Sequence, residues 1–185
     1  MSLSVKTIIF IVVSGYFVWL SRRSIRNVSS HGFYRLFAWE SILALVLINS
    51  DFWFDDWLSL RQIVSWILLA LSAYLVTHGT LGLYRSGMPD SHRDDSTLVG
   101  IEKTTRLVTS GIYRHIRHPM YSSAVVGVWG VVLKDISLIS ISLAVIAVIF
   151  LTVAAKQEER ENVRYFGEEY RDYINKTKMF IPSLF

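Results

Sequence analysis

Residues Met120–Leu133 (MYSSAVVGVWGVVL) and Ile136–Ala155 (ISLISISLAVIAVIFLTVAA) are two charge-free apolar runs separated only by Lys134-Asp135. A straight helix crosses the hydrocarbon of a bilayer with about 20 apolar residues at about 1.5 Å per residue. Two such runs joined by so short a link must run antiparallel, so the stretch predicts a helical hairpin. Working outward, further apolar segments occupy Val5–Leu20, Phe33–Asn49 and Arg61–Tyr84. The first, second and fourth of the five segments are short for a straight crossing, and their interfacial flanks are needed to complete it. The expectation is an all-α fold: a polytopic transmembrane bundle of about five spans, ending in the hairpin and a cytoplasmic C-terminal helix. It reads as one domain over residues 1–185, with 1–84 giving the N-terminal spans and 85–185 a polar loop, the hairpin and the C-terminal segment. Val5–Leu20 reads as a retained span, because it lacks a basic n-region beyond Lys6 and no small-x-small site precedes Arg22-Arg23.

Composition agrees. Hydrophobic residues make up 52% of the chain and charged residues only 18%, where a soluble domain carries roughly a quarter. The absence of cysteine excludes disulfides, thiolate zinc sites, iron–sulfur clusters and cysteine nucleophiles. The net charge of +4 does not point to nucleic acid, since the basic residues flank hydrophobic runs, where they set topology and meet anionic headgroups. Segments 21–35, 85–117 and 156–178 hold 4, 6 and 6 of the 19 Lys and Arg, leaving Lys6, Arg61 and Lys134 for the other side. The positive-inside rule then places the N-terminus outside and the C-terminus in the cytoplasm. The acidic, aromatic stretch Asp51-Phe52-Trp53-Phe54-Asp55-Asp56-Trp57 fits an external interfacial belt. A compact, basic, cysteine-free membrane chain suits a prokaryotic inner membrane. Any chemistry belongs at the cytoplasmic mouth of the bundle.

Within the spans, Glu40 and His78 stand out, because ionisable groups at membrane depth face a cavity or a partner. Glu40 either serves a site, hydrates near the interface or pairs with Arg35. Ser41, Ser65, Ser72 and Thr77 read as helix-packing residues. Gly79 and Gly82 thin the end of the third span, which either admits a ligand or lets helices approach.

The cytoplasmic segments carry the specific information. Thr105–Tyr121 contains a turn at Ser110-Gly111 and then a cationic, aromatic stretch ending in Arg117-His118-Pro119-Met120-Tyr121. Pro119 suits the first turn of a helix, where its missing N–H costs nothing. The free amides that follow favour an anion, and Arg117 adds a guanidinium able to grip a carboxylate. Lys156-Gln157-Glu158-Glu159-Arg160 leaves the fifth segment, so the hairpin brings Glu158 and Glu159 opposite Arg117 and His118. A ligand bearing both a carboxylate and an ammonium finds complementary charges there. An Arg117–Glu158 structural salt bridge explains the same spacing equally well. His115-x-x-His118 lacks the companions that a metal site needs, so no metal is expected.

These residues form a recognisable series. Leu107-Val108, Gly111, Tyr113, Arg117-His118-Pro119, Tyr121, Glu158-Glu159 and then Phe166-Gly167, Tyr170 and Tyr173 together resemble the isoprenylcysteine carboxyl methyltransferase and phospholipid methyltransferase superfamily of membrane-integral enzymes. The resemblance runs from Thr105 to Pro182. It implies a cytoplasmic pocket for S-adenosylmethionine and a lipophilic acceptor, lipid-like or isoprenylcysteine-like, that enters from the membrane. It implies that Arg117, His118, Pro119, Tyr121, Glu158 and Glu159 hold the cofactor and that Leu107, Val108, Gly111 and Tyr113 line its pocket. Arg117 and Glu158 are the candidates for catalytic roles, with Arg117 or a loop arginine orienting the acceptor. Ser123, where the family often has glycine, and the polar Arg160-Glu161-Asn162 depart from the pattern. Arg85–Lys103 matches no part of it and reads as a lid or acceptor-side loop. The alternative readings are an NADPH-dependent membrane reductase related to sterol reductases, and a non-catalytic membrane protein that retains the pocket.

Overall fold

The computed structural model describes residues 1–88, 90 and 103–182. Among the described residues six α-helices follow one another: α1 (Leu3–Ser21), α2 (His31–Ile48), α3 (Leu60–Ser86), α4 (Pro119–Val132), α5 (Leu138–Phe166) and α6 (Glu168–Lys176). Short 3-10 turns at Ser24–Arg26, Asn49–Phe52 and Gly111–Arg114 join them. The starts are written in the sequence. Ser2, Ser30, Ser59 and Ser137 each precede a helix and accept a hydrogen bond from an amide in its first turn. Pro119 opens α4 as expected.

Four stretches, Leu3–Ser21, His31–Phe52, Leu60–Ser86 and Leu138–Phe166, are long and apolar enough to cross a membrane. The fourth expected segment is short, as its sequence run is. α4 has 14 residues, about 21 Å at 1.5 Å per residue, well short of a hydrocarbon core of about 30 Å. The helix begins at Pro119, just ahead of the run, with His118 at its N-terminal boundary and Leu133 at its C-terminal one. α5, by contrast, continues beyond Ala155 to Phe166, so Glu158 and Glu159 sit on a helix and not on a loop. The loop expected over Arg85–Lys103 lies mostly outside the described residues.

The hairpin forms, but its two arms do not make each other their main partner. α4 lies chiefly along α3, and α5 chiefly along α2, with α1 on the far side of α2. The α3–α4 seam is built from small and hydroxylated residues. The Ser65 hydroxyl donates to the Gly130 carbonyl at 2.6 Å, and that of Ser72 to Ser123 at 2.8 Å. A Cβ at Gly127 would stand 2.8 Å from Ser72 Oγ, and one at Gly79 would stand 3.1 Å from the Pro119 ring. The glycines allow backbones to approach where lipid offers no hydrophobic drive to association. Gly79 and Gly82 therefore serve close packing, Gly82 against the Tyr113 ring.

The charged residues gather at the two ends. At one end Lys6 meets Asp51 at 2.8 Å and Arg61 donates to the Leu133 carbonyl at 2.7 Å. Lys134, expected as an exposed topology charge, is wholly buried there. Its ammonium stands 3.5 Å from the centre of the Trp66 ring and 5.4 Å from that of Trp53, and donates to Gln62 Oε1 at 2.9 Å. Burial, and then the charge of Arg61, push its pKa below the ordinary lysine value. At the other end lie His31, Arg35, Arg117, Glu158, Glu159 and Glu161.

The seam yields a test. Gly127→Ala is expected to cost roughly 1–3 kcal/mol by overpacking, read as a lowered midpoint of thermal unfolding in detergent. In a Ser72→Ala background the same substitution is expected to cost less, because the atom it meets is gone. Equal losses in both backgrounds would refute the contact.

Candidate active site

A cavity of about 260 Å³ opens at the end of the bundle where α4 begins and α5 leaves the apolar run. Leu107, Val108, Tyr113, Arg117, His118, Pro119, Tyr121 and Glu158 line it. Two expected residues do not. Gly111 is exposed, with φ +63° and nothing within 4 Å of a built Cβ. It makes the left-handed turn that starts the 3-10 segment, and Tyr113 follows from it into the cavity. Glu159 stands behind the wall and holds it in place.

Arg117 is tied into that wall. Its Nε donates to Glu159 Oε1 at 2.6 Å, and its Nη1 donates to the carbonyls of Ile174, at 3.2 Å, and Thr177. The same Glu159 oxygen lies 3.2 Å from His118 Nε2. The partner of Arg117 is thus Glu159, not Glu158. The backbone continues the tie: Arg117 and His118 donate to the carbonyls of Lys178 and Met179, and Lys178 donates back to His115. This one parallel bridge, Ile116 with Lys178, brings the chain after α6 alongside the approach to α4. Met179 and Phe180 then pack with Tyr121, Ala38 and Leu151 in a buried cluster.

Glu158 differs from its neighbour. It lines the cavity and has no hydrogen-bond or ion-pair partner among the described residues. Tyr113, Tyr170 and Tyr173 surround that end. Burial pushes all three phenols above their ordinary value; the Glu158 carboxylate adds to the rise for Tyr113 and Tyr170, and Arg117 moderates it for Tyr173. They remain protonated at neutral pH and act as donors: Tyr113 to the Gly79 carbonyl at 3.2 Å, Tyr173 to the Tyr113 carbonyl at 2.6 Å.

The remaining lining comes from residues outside the expected set. They include Arg35 and Trp39 on α2, Val76 and Leu83 on α3, Met120 and Ala124 on α4, and Leu151, Asn162 and Phe166 on α5. The signal for Arg35 is an arginine one turn from a tryptophan, Trp39, inside an apolar run. Glu40 instead accepts from the Ser14 hydroxyl at 2.5 Å, outside the cavity lining. His78 faces outward, its ring against Tyr74 and its Nδ1 3.0 Å from the Tyr74 carbonyl. His115 is exposed, and among the described residues no three His, Asp or Glu side chains group as metal ligands.

The family model for phospholipid methyltransferase matches residues 60–169, from the start of α3 to the start of α6. The chain belongs to this family. Three relatives of the chain are instructive. It is 31% identical to methanethiol S-methyltransferase 1 of Bradyrhizobium diazoefficiens over 63% of its own length and 38% of that protein's. It is 30% identical to the nickel-cobalt-cadmium resistance protein NccN of Alcaligenes xylosoxydans xylosoxydans over 82% and 66% of the two lengths. It is 27% identical to protein-S-isoprenylcysteine O-methyltransferase of Dictyostelium discoideum over 91% and 71%. The chain thus spans well under half the length of the first of these. Arg35, Trp39 and the bridge at Lys178 lie outside the family match.

Two outcomes are expected. Arg117→Ala removes a cation buried against Glu159 and is expected to cost roughly 3 kcal/mol or more, seen as a lower unfolding midpoint and faster proteolysis after Lys176. Phenolate absorbance is expected to show at least three of the nine tyrosines resisting ionisation in the folded protein. An unfolded chain loses phenolic protons from about pH 10, whereas the folded one holds them at Tyr113, Tyr170 and Tyr173. These groups therefore lower folding stability as pH rises above about 10 and leave it unchanged below.

Proposed function

We propose that this membrane protein is a methyltransferase that takes its methyl group from S-adenosylmethionine and gives it to a lipophilic acceptor, with the whole chain acting as one unit. The observation that carries the reading is the cavity itself. A Glu158 carboxylate with no partner among the described residues faces a buried set of tyrosine rings, and the neighbouring Arg117–Glu159 pair is already engaged in holding the wall. The donor set fits the proposed cofactor. Glu158 is placed to accept from an ammonium or from ribose hydroxyls, and Tyr113, Tyr170 and Phe166 offer ring faces to a cation or a planar base. The amides after Pro119 and the His118 ring are placed for the carboxylate end. When bound, S-adenosylmethionine supplies an electrophilic methyl group carried on a sulfonium.

The protein's own contribution is position and dryness. Leu107, Val108, Val76, Leu83 and Leu151 exclude water, which strengthens every charge interaction within the cavity. Arg117, Glu159 and the Ile116–Lys178 bridge keep the wall rigid, so that a bound donor and acceptor meet in one geometry. The protonated tyrosines withdraw no proton and fix orientation. The family membership and the names of the methyltransferase relatives support the same reading, as does the clustering of basic segments at the cavity end, which favours a cytoplasmic mouth and an external N-terminus.

Calorimetry in detergent tests it. S-adenosylmethionine is expected to bind, and Glu158→Gln to weaken that binding about 10- to 100-fold with an unchanged unfolding midpoint. Binding of NADPH in place of S-adenosylmethionine would overturn the reading in favour of a reductase.

A further inference from the structure

We infer that Asn162 is the base-reading residue of this cavity, pairing with the N6 and N7 edge of adenine, and that the adenine end of the donor lies against the rings of Phe166 and Tyr170. The inference rests on the proposed methyltransferase reading.

The geometry begins on α5. Glu158, Asn162 and Phe166 follow one another at four-residue steps, so they share one face of the helix, and all three line the cavity. Each step is about 6 Å along the axis. Leu151 lines the same cavity from within the apolar run. The lining therefore passes along α5 from aliphatic to carboxylate, and then to carboxamide and ring. Gly167, with φ +65°, turns the chain into α6, and Tyr170 comes back to the cavity wall, buried. The Phe166 and Tyr170 rings are nearly parallel, 19° between planes, with centroids 6.4 Å apart. A planar base finds there two ring faces of one orientation, beside the one carboxamide among the described residues that line the cavity.

The amide is oriented as well as placed. Burial, and then the Glu158 carboxylate, raise the Tyr170 phenol, while a hydrogen bond with the Asn162 side chain works the other way. A bond that favours the phenolate is one in which the amide N–H donates to the phenol oxygen. Asn162 has no other hydrogen-bond partner among the described residues, so its carbonyl and its second N–H face the cavity as an acceptor beside a donor. Adenine presents the complement, the N6 donor beside the N7 acceptor. Hypoxanthine presents two acceptors on that edge, and one of them always meets the carbonyl. Glu158, an acceptor only when ionised, cannot make this reading and is left for ribose hydroxyls or the ammonium. Asn162 lies in Arg160-Glu161-Asn162, the stretch where this chain departs from the family pattern, so the carboxamide is a feature of this chain.

The test uses the full chain in detergent and reads binding by calorimetry. S-adenosylhomocysteine is compared with S-inosylhomocysteine and with the 7-deaza analogue of the adenine compound. The wild-type protein is expected to bind the adenine compound about 10- to 100-fold more tightly than the hypoxanthine one, and to lose part of that advantage when N7 is replaced. Asn162→Leu is expected to erase the preference by weakening the adenine compound. Asn162→Gln keeps the carboxamide and is expected to recover part of the ratio, and the wild-type comparison stands whether or not a variant folds. Glu158→Gln is expected to weaken both compounds alike and leave the ratio in place, a split that a general loss of structure does not give. Wild-type protein that binds adenine and hypoxanthine compounds equally, or Asn162→Leu that keeps the full ratio, would overturn the inference while cofactor binding stands. Wild-type protein that binds neither S-adenosylhomocysteine nor S-adenosylmethionine overturns the broader reading and the inference with it.

Discussion

Arg117 is where the cavity end of this molecule is held together. One guanidinium joins the approach to α4, the exit of α5 through Glu159 and the end of α6 through the carbonyls of Ile174 and Thr177. A charge with so little exposure is tolerable only with its donors matched, and here the matching partners come from two separate parts of the chain, α5 and the end of α6. The parallel bridge from Ile116 to Lys178 follows directly from that tie. So does the burial of Met179 and Phe180 beside Tyr121. Without it the C-terminal stretch has no reason to lie across the hairpin, and the cavity loses a wall.

The rest of the bundle solves a different problem. Lipid surrounds helices with a medium as apolar as their own side chains, so association depends on close approach and on shared polar groups. The α3–α4 seam supplies both, through Gly79, Gly127 and Gly130 and through the hydroxyls of Ser65 and Ser72. At the far end the hairpin turn is closed by burying Lys134 between Trp53 and Trp66, with Arg61 gripping the carbonyl of Leu133. At the cavity end Glu158 and Arg35 line the cavity, while Arg117 and Glu159 hold its wall.

Much of this was legible beforehand, and the reasons are local. Apolar runs, serine caps and Pro119 act within a few residues, so helix type and approximate position could be read directly. The hairpin also followed, since Lys134-Asp135 leaves no room for any other connection. What escaped reading depended on rotation about helix axes. Glu40 and His78 are equally polar residues in apolar runs, and only the packing of α1 on α2 and of α3 on α4 shows that neither lines the cavity while Arg35 does. Lys134 looked like a topology charge because nothing in sequence distinguishes an exposed lysine from one caged by two tryptophans far along the chain. Gly111 lay among the motif residues, yet its part is a positive φ that aims Tyr113 and not contact with the cavity.

The sequence by itself determined that the chain is helical, that long apolar helices alternate with basic segments, and that Arg117 and the Glu158-Glu159 pair meet at one end. Periodicity, composition and short connections are enough for that, because each acts over one helix or one turn. Only the tertiary structure decided which glutamate pairs with Arg117, which one lines the cavity, and which charged residue of α2 lines it too. Those choices turn on helix register and facing. Shifting α5 by a single residue rotates its side chains by about 100° and would exchange Glu158 for Glu159, leaving every sequence pattern unchanged.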